Sequence, residues 1–127
     1  MTKIRSAIII DYSEMDTLIS DKILKKYGVT NILIFKSTYM ALFYLKETTV
    51  NYEFILIEVT VPVMDGFEFI DKLHELGIHE KQGKICLYTA SINSLHKKRS
   101  VEKNIELFEK PLTLKKLETI FANQKLL

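Results

Sequence analysis

Short apolar runs alternate with longer amphipathic segments along the whole chain. The first run, 7–10, is β-branched and stops at Asp11, as a strand entering a loop does. Segment 16–27 spaces Leu18, Ile19, Ile23 and Leu24 at helical intervals, and Gly28 supplies a stop. A second strand is expected at 32–35. Ser37 or Thr38 can then cap a helix that carries Ala41, Leu42 and Leu45 on one face. The run 54–57 predicts a third strand, and 59–66 a loop with the turn residues Pro62, Asp65 and Gly66. The pattern continues with a helix over 67–76 ended by Gly77 and a strand over 84–88. A thinly apolar helix over 91–103, a strand over 105–108 and a helix over 113–122 capped by Thr113 complete it.

Strands alternating with helices in this way predict a parallel α/β sheet covered on both faces. Ligand chemistry in such sheets lies at the carboxyl ends of the strands, near the topological switch point. The positions there are 11–14, 58–60, 89–91 and 109–111. They supply Asp11 after the first strand, Glu58 after the third, Thr89 after the fourth and Lys110 after the fifth.

Composition narrows the class. The 127 residues fit one domain, 1–127, large enough to bury a core without metal or disulfide staples. A formal net charge of +2 does not argue for nucleic acid, and none is expected as a direct partner. The one cysteine, Cys86, excludes an intramolecular disulfide and sits in an apolar run, where it reads as core. No Cys/His cluster has zinc-ligand spacing, and His74, His79 and His96 read as solvated. The apolar run after Met1-Thr2-Lys3 is too short for a signal peptide or a membrane span. With a free cysteine, that predicts a cytoplasmic protein with no membrane partner.

Four fragments lie on these elements in a telling order: Ile8-Ile9-Ile10-Asp11, Pro62-Val63-Met64-Asp65-Gly66, Thr89-Ala90-Ser91 and Lys110-Pro111. Each is weak alone. Together the chain resembles, over its whole length, a CheY-like receiver domain of two-component signalling. The resemblance implies a flavodoxin-like fold, a doubly wound five-stranded parallel sheet of order 2-1-3-4-5. It also implies phosphoryl transfer to a carboxylate. In the family, two acids after strand 1 and an acceptor Asp after strand 3 hold Mg²⁺ through oxygen ligands. The metal and a lysine offset charge on the phosphoryl oxygens. A hydroxyl after strand 4 and an aromatic on strand 5 carry the switch.

Carried onto this chain, the match is partial. Asp11 matches the first acid, but Tyr12 stands where the second is expected. Glu58 stands at the phosphoacceptor position. Thr89 matches the switch hydroxyl, Lys110 the lysine, and Pro111 the site of a cis peptide. Leu107 occupies the switch-aromatic position, and the neighbouring Phe108 faces the other side of its strand. Glu58 reaches about 1–1.5 Å further than Asp. Tyr12 removes a metal ligand, since a phenol stays protonated near neutral pH. Asp11 and Glu58 remain as metal ligands, so the expectation is no cofactor or weakly bound Mg²⁺.

The expected arrangement pairs Glu58 with Lys110 and lets Glu58 accept from Thr89. The same pair read structurally is a relic that only holds the fold. Asp11 read structurally caps a loop, Thr89 follows strand propensity, and Tyr12 is a lid over the site or cover for core. The expected function is a stand-alone, non-enzymatic receiver-like module, not phosphorylated conventionally. Its partner is a signalling protein, a histidine kinase or a downstream target, met through the helix 4–strand 5–helix 5 face. There His96-Lys97-Lys98-Arg99 forms a basic patch. The last helix places Leu114, Leu117 and Ile120 at core spacing, with Lys115 and Lys116 outward. A monomer or weak homodimer is expected. The alternative is a working phosphoacceptor receiving a phosphoryl group from a histidine kinase with Mg²⁺. A flavin or nucleotide binder is disfavoured, because the loop Tyr12-Ser13-Glu14-Met15 has no glycine and carries an acid.

Overall fold

A computed structural model describes residues 4–122. Five strands form one parallel sheet: β1 (Ser6–Ile10), β2 (Asn31–Phe35), β3 (Phe54–Glu58), β4 (Lys84–Thr89) and β5 (Glu106–Glu109). Their spatial order is β2-β1-β3-β4-β5, so the chain reverses direction of travel across β1 and β3. Helices α1 (Glu14–Tyr27), α2 (Thr38–Glu47), α3 (Gly66–Glu75), α4 (Ser94–Glu102) and α5 (Leu114–Ile120) connect them. A 3-10 turn, Ile78–Lys81, follows α3. This is the doubly wound architecture expected.

Residue parity along the strands builds two cores. Ile8, Ile10, Ile55, Ile57 and Leu87 face α2 and α3, meeting Ala41, Leu45, Phe67, Phe69, Ile70 and Leu73. Ala7, Ile9, Phe54, Leu56 and Cys86 face α1 and α5, meeting Leu24, Tyr27, Leu117 and Phe121. Every residue of β3 is buried, which fits the centre of a parallel sheet. The Cys86 thiol belongs to this core, and burial pushes its pKa up to about 12.

Caps set the helix ends, and they move several expected boundaries. Ser13 accepts the Asp16 N–H, so α1 starts at Glu14 rather than at 16. Asp65 and Glu68 form a capping box that starts α3 at Gly66. Asn93 and His96 form another, so α4 starts at Ser94 rather than at 91. Ser37 and Thr113 cap α2 and α5 as expected. Helix α1 does not bury Leu18 and Ile19. Its inner face is Thr17, Ser20, Leu24 and Tyr27, because the first two turns lie over the polar ends of the strands. Leu114 is likewise exposed, while Lys116 folds back to donate to the Glu109 and Pro111 carbonyls.

Helix α4 buries only Ser100 and is held by polar ties to α3. The Arg99 guanidinium lies 4.3 Å from the Phe67 ring centroid, and Lys103 Nζ is 2.6 Å from Asp71 Oδ1. Two of the four residues expected as a basic patch are therefore turned to other uses. His96 caps its own helix and Arg99 covers Phe67, which leaves Lys97 and Lys98 outward. His74 and His79, expected as separate solvated residues, stack with ring centroids 3.9 Å apart. No helix among the described residues is long and apolar enough to cross a membrane.

Candidate functional site

The carboxyl ends of β1, β3, β4 and β5 bring four charged or polar side chains to one face of the sheet. Glu58 pairs in register with Tyr88 at the end of β3 and β4. Asp11 directly follows Ile10, and Lys110 directly follows Glu109. The shared parity points all four toward α1. Helix α1 then adds Asp16 from its first turn.

The Lys110 ammonium is the centre of the cluster. Its Nζ lies 2.6 Å from Glu58 Oε1, 2.7 Å from Asp16 Oδ2 and 2.9 Å from Asp11 Oδ2. Asp11 is almost fully buried. Its Oδ1 accepts the Ser13 N–H at 2.9 Å, and its Oδ2 accepts the Tyr88 hydroxyl at 2.7 Å. The Ser20 hydroxyl donates to that Tyr88 oxygen at 3.4 Å. Glu58 Oε2 accepts both the Thr60 N–H, at 2.9 Å, and the Thr60 hydroxyl, at 3.1 Å. Each oxygen of Asp11 and Glu58 thus has a protein donor. Gly66 lies beneath, where an added Cβ would come within 2.6 Å of the Glu58 carbonyl oxygen and 2.7 Å of Leu87 Cδ2. Only glycine lets α3 start so close to the Glu58 backbone.

Electrostatics follow from this geometry. Burial pushes the Glu58 carboxyl upward, and Lys110 with the Thr60 N–H outweigh it, so the pKa is lowered. The Thr89 hydroxyl adds a smaller lowering. The hydrogen bond to Lys110 lowers Asp16 against a smaller effect of burial. Burial works against the Lys110 ammonium, but Asp16, Glu58 and Asp11 together raise its pKa. Burial, reinforced by Asp11, raises the Tyr88 phenol, which therefore acts as a donor.

The signs give a stability profile. Asp16 and Glu58 are lowered below their unfolded values of about 3.9 and 4.3. Their contribution is present above those values and is lost as pH falls through the lower folded ones. Lys110 is raised above its unfolded value of about 10.4, so its contribution is present below that value and lost as pH rises through the folded one. Thermal melts should therefore show a plateau from about pH 5 to about pH 10, falling on both sides. A Tm that climbs steadily through neutral pH would contradict the charge assignment.

Tyr88 has its own test. Tyr88→Phe keeps the ring and removes the donor to Asp11 Oδ2. A hydrogen bond to a charged group contributes about 1.5–3 kcal/mol, and the urea midpoint should fall accordingly. An unchanged midpoint would show that water replaces the hydroxyl.

The structure brings Asp11, Glu58 and Lys110 together as expected, and the Lys110–Pro111 peptide is cis. Thr89 is buried at the end of β4 and lowers the Glu58 pKa, while the Thr60 hydroxyl makes the closer bond to Glu58, at 3.1 Å. Tyr12 is 66% exposed and covers no core. Leu107 packs against the α2–α3 core, while Phe108 faces the other core and lies 5.9 Å from Tyr88. Among the described residues, no three His, Cys, Asp or Glu side chains are grouped so that they could hold a metal ion. Asp16, Tyr88 and Ser20 were not anticipated, and Thr60 only as part of the strand-end positions 58–60. Local spacing gave no signal for Asp16, whose contact with Lys110 depends on how α1 lies over β1.

A doubly wound sheet with an acid, a carboxylate, a hydroxyl and a lysine at successive strand ends defines a regulatory receiver. Comparison with known proteins agrees. No family model matches the chain. It is 31% identical over 116 residues to two-component response regulator 24 of Arabidopsis thaliana, covering 91% of this chain and 80% of that protein. It superposes on a two-component response regulator from Cytophaga hutchinsonii with a TM-score of 0.84, at 22% identity, covering 96% of this chain and 97% of that one. The receiver domain of the histidine kinase CKI1 from Arabidopsis thaliana gives 0.82 at 15% identity, over 98% of this chain and 92% of that one. The two structural matches bear on the fold alone. The chain belongs to the response-regulator family and is a receiver domain of two-component signalling.

Proposed function

We propose that this receiver is closed by its own side chains and signals by contact, without conventional phosphorylation. One observation carries the reading: Glu58 Oε1 lies 2.6 Å from Lys110 Nζ, at the position where the family accepts a phosphoryl group. The longer side chain places a carboxylate against the lysine that would otherwise neutralise the incoming group. The lysine also binds Asp11 and Asp16, so its charge is already engaged.

The same donor set argues against a resident Mg²⁺. That ion demands near-octahedral oxygen ligation at about 2.0–2.1 Å. Here Asp11 and Glu58 give their oxygens to Ser13, Tyr88, Thr60 and Lys110, and position 12 offers an outward phenol. A metal would have to displace the ammonium. The module accordingly acts as a cytoplasmic binding protein and not as an enzyme, monomeric or weakly dimeric. Its partner is a histidine kinase or downstream signalling protein, met on the face of α4, β5 and α5. Lys97 and Lys98 with the exposed Leu95 and Val101 suit an acidic surface with an apolar centre.

Backbone amide NMR during titration with Mg²⁺, then beryllofluoride, tests this. Unchanged shifts in a well-dispersed spectrum are expected. Shifts clustered on Asp11, Glu58, Thr89 and Lys110, saturating at millimolar metal, would overturn the reading in favour of a working phosphoacceptor.

A further inference from the structure

At the end of the sheet opposite Glu58, a groove of about 640 Å³ runs between the C-terminus of α2 and the corner of α3 and the 3-10 turn. Its size lies within the usual range of small-molecule sites, roughly 300–1,000 Å³. Leu45 and Ile78, both buried, and the half-exposed Leu76 give it an aliphatic lining. The remaining walls are Thr48, Thr49, Asn51 and Gln82, with Lys46 and Lys81 exposed beside them. No acid and no aromatic ring lines it.

The polar groups divide into those already used and those free to bind. Thr48 accepts the Val50 N–H and donates to the Tyr44 hydroxyl. Gln82 Oε1 accepts the Tyr52 N–H at 2.8 Å, which fixes the side chain and leaves its NH₂ group as a donor. The hydroxyl of Thr49, the amide of Asn51 and the two ammonium groups add further donors. Among the described residues neither Lys46 nor Lys81 lies within ion-pair distance of a carboxylate. Lys72 and Lys103 each have an acid, whereas Lys97 and Lys98, like Lys46 and Lys81, have none within ion-pair distance among the described residues.

We propose that this groove binds a small organic anion with an aliphatic body, its head group held by Lys46 and Lys81 and its tail laid on Leu45, Leu76 and Ile78. Two ammonium groups with no lining acid select an anion, outweighing the negative partial charge of the α2 C-terminus. The absence of an aromatic platform argues against a nucleobase. Leu45 and Ile78 belong to the same core as Val59 and Met64, which flank the loop after Glu58, so an occupant would rest on packing shared with the strand-end cluster. The proposal is independent of whether Glu58 is phosphorylated.

Octanoate is the probe, titrated into the ¹⁵N-labelled protein with 1-octanol as the uncharged control. Shifts confined to the residues that line the groove are expected, at Leu45, Leu76 and Ile78 beneath the tail as well as at Lys46 and Lys81. Octanol should bind at least about 10-fold more weakly. A Lys46→Glu/Lys81→Glu variant, whose dispersed spectrum reports its fold, should lose octanoate binding by at least about 10-fold. Shifts scattered over the surface, equal binding of octanol, or undiminished binding to the folded variant would each overturn the proposal. A Glu58→Ala variant should bind octanoate as the parent does.

Discussion

Replacing Lys110 by Met should cost about 3–5 kcal/mol of folding stability, the loss typical when one partner of a buried ion pair is removed. The side chain is 9% exposed and is shared by three carboxylates, of which Asp11 and Glu58 are as buried as the lysine. Met preserves the length and apolar volume of the stem, so the loss reports charge and not packing. Without the ammonium, the buried Asp11 and Glu58 repel each other and the partly exposed Asp16 beside them. For a chain of this length the deficit corresponds to a fall in Tm of about 10–20 °C. The pH dependence should invert on the acid side. In the variant, carboxylates that face each other unneutralised are protonated more readily when folded than when unfolded. Stability so conferred is present below the unfolded carboxylate values and lost as pH rises. The deficit relative to the parent should therefore be smaller at pH 4 than at pH 7. Urea denaturation at both values measures it. A loss under about 1 kcal/mol at pH 7 would mean that solvent, not Lys110, neutralises the cluster.

That cluster also shows what could be read from residue order and what could not. The strands were legible because a parallel sheet buries both faces and so leaves continuous apolar runs, as 54–57 illustrates. Asp11, Glu58 and Lys110 were legible because strand ends in such a sheet converge. Asp16 was not, because its contact depends on how α1 lies over β1, and local spacing carries no record of that angle. The same docking explains why Thr17 and Ser20, not Leu18 and Ile19, face inward. Tyr88 read as one more apolar residue of its strand, since its hydroxyl finds Asp11 across an intervening strand, 77 positions away. Helix α4 was thin in apolar residues because its attachment is polar, through Arg99 and Lys103 to α3. The 3-10 turn after Gly77 carries no periodicity long enough to announce itself.

The double variant Tyr12→Asp/Glu58→Asp should convert the closed site into one that answers to Mg²⁺ and beryllofluoride. Shortening Glu58 withdraws its carboxylate by about 1–1.5 Å, which breaks the present 2.6 Å contact with Lys110. A space opens between the acid and the ammonium. The second change supplies the acid that the family places after strand 1. The cluster now holds three carboxylates and one ammonium, a formal charge of −3 + 1 = −2. The added aspartate makes it −4 + 1 = −3, and the demand for a divalent cation rises with it. Misplacement of reacting groups by about 1 Å can cost ~100-fold, so the gain over the parent should approach that factor. The metal-free variant should be less stable than the parent, and Mg²⁺ should restore the loss in proportion to its free concentration. Glu58→Asp alone should respond less than the pair, because Tyr12 still withholds a ligand. If the folded double variant ignores both reagents, these two positions are not what closes the site. If the parent already responds as strongly, the Glu58–Lys110 contact yields to metal, and the domain is a working phosphoacceptor.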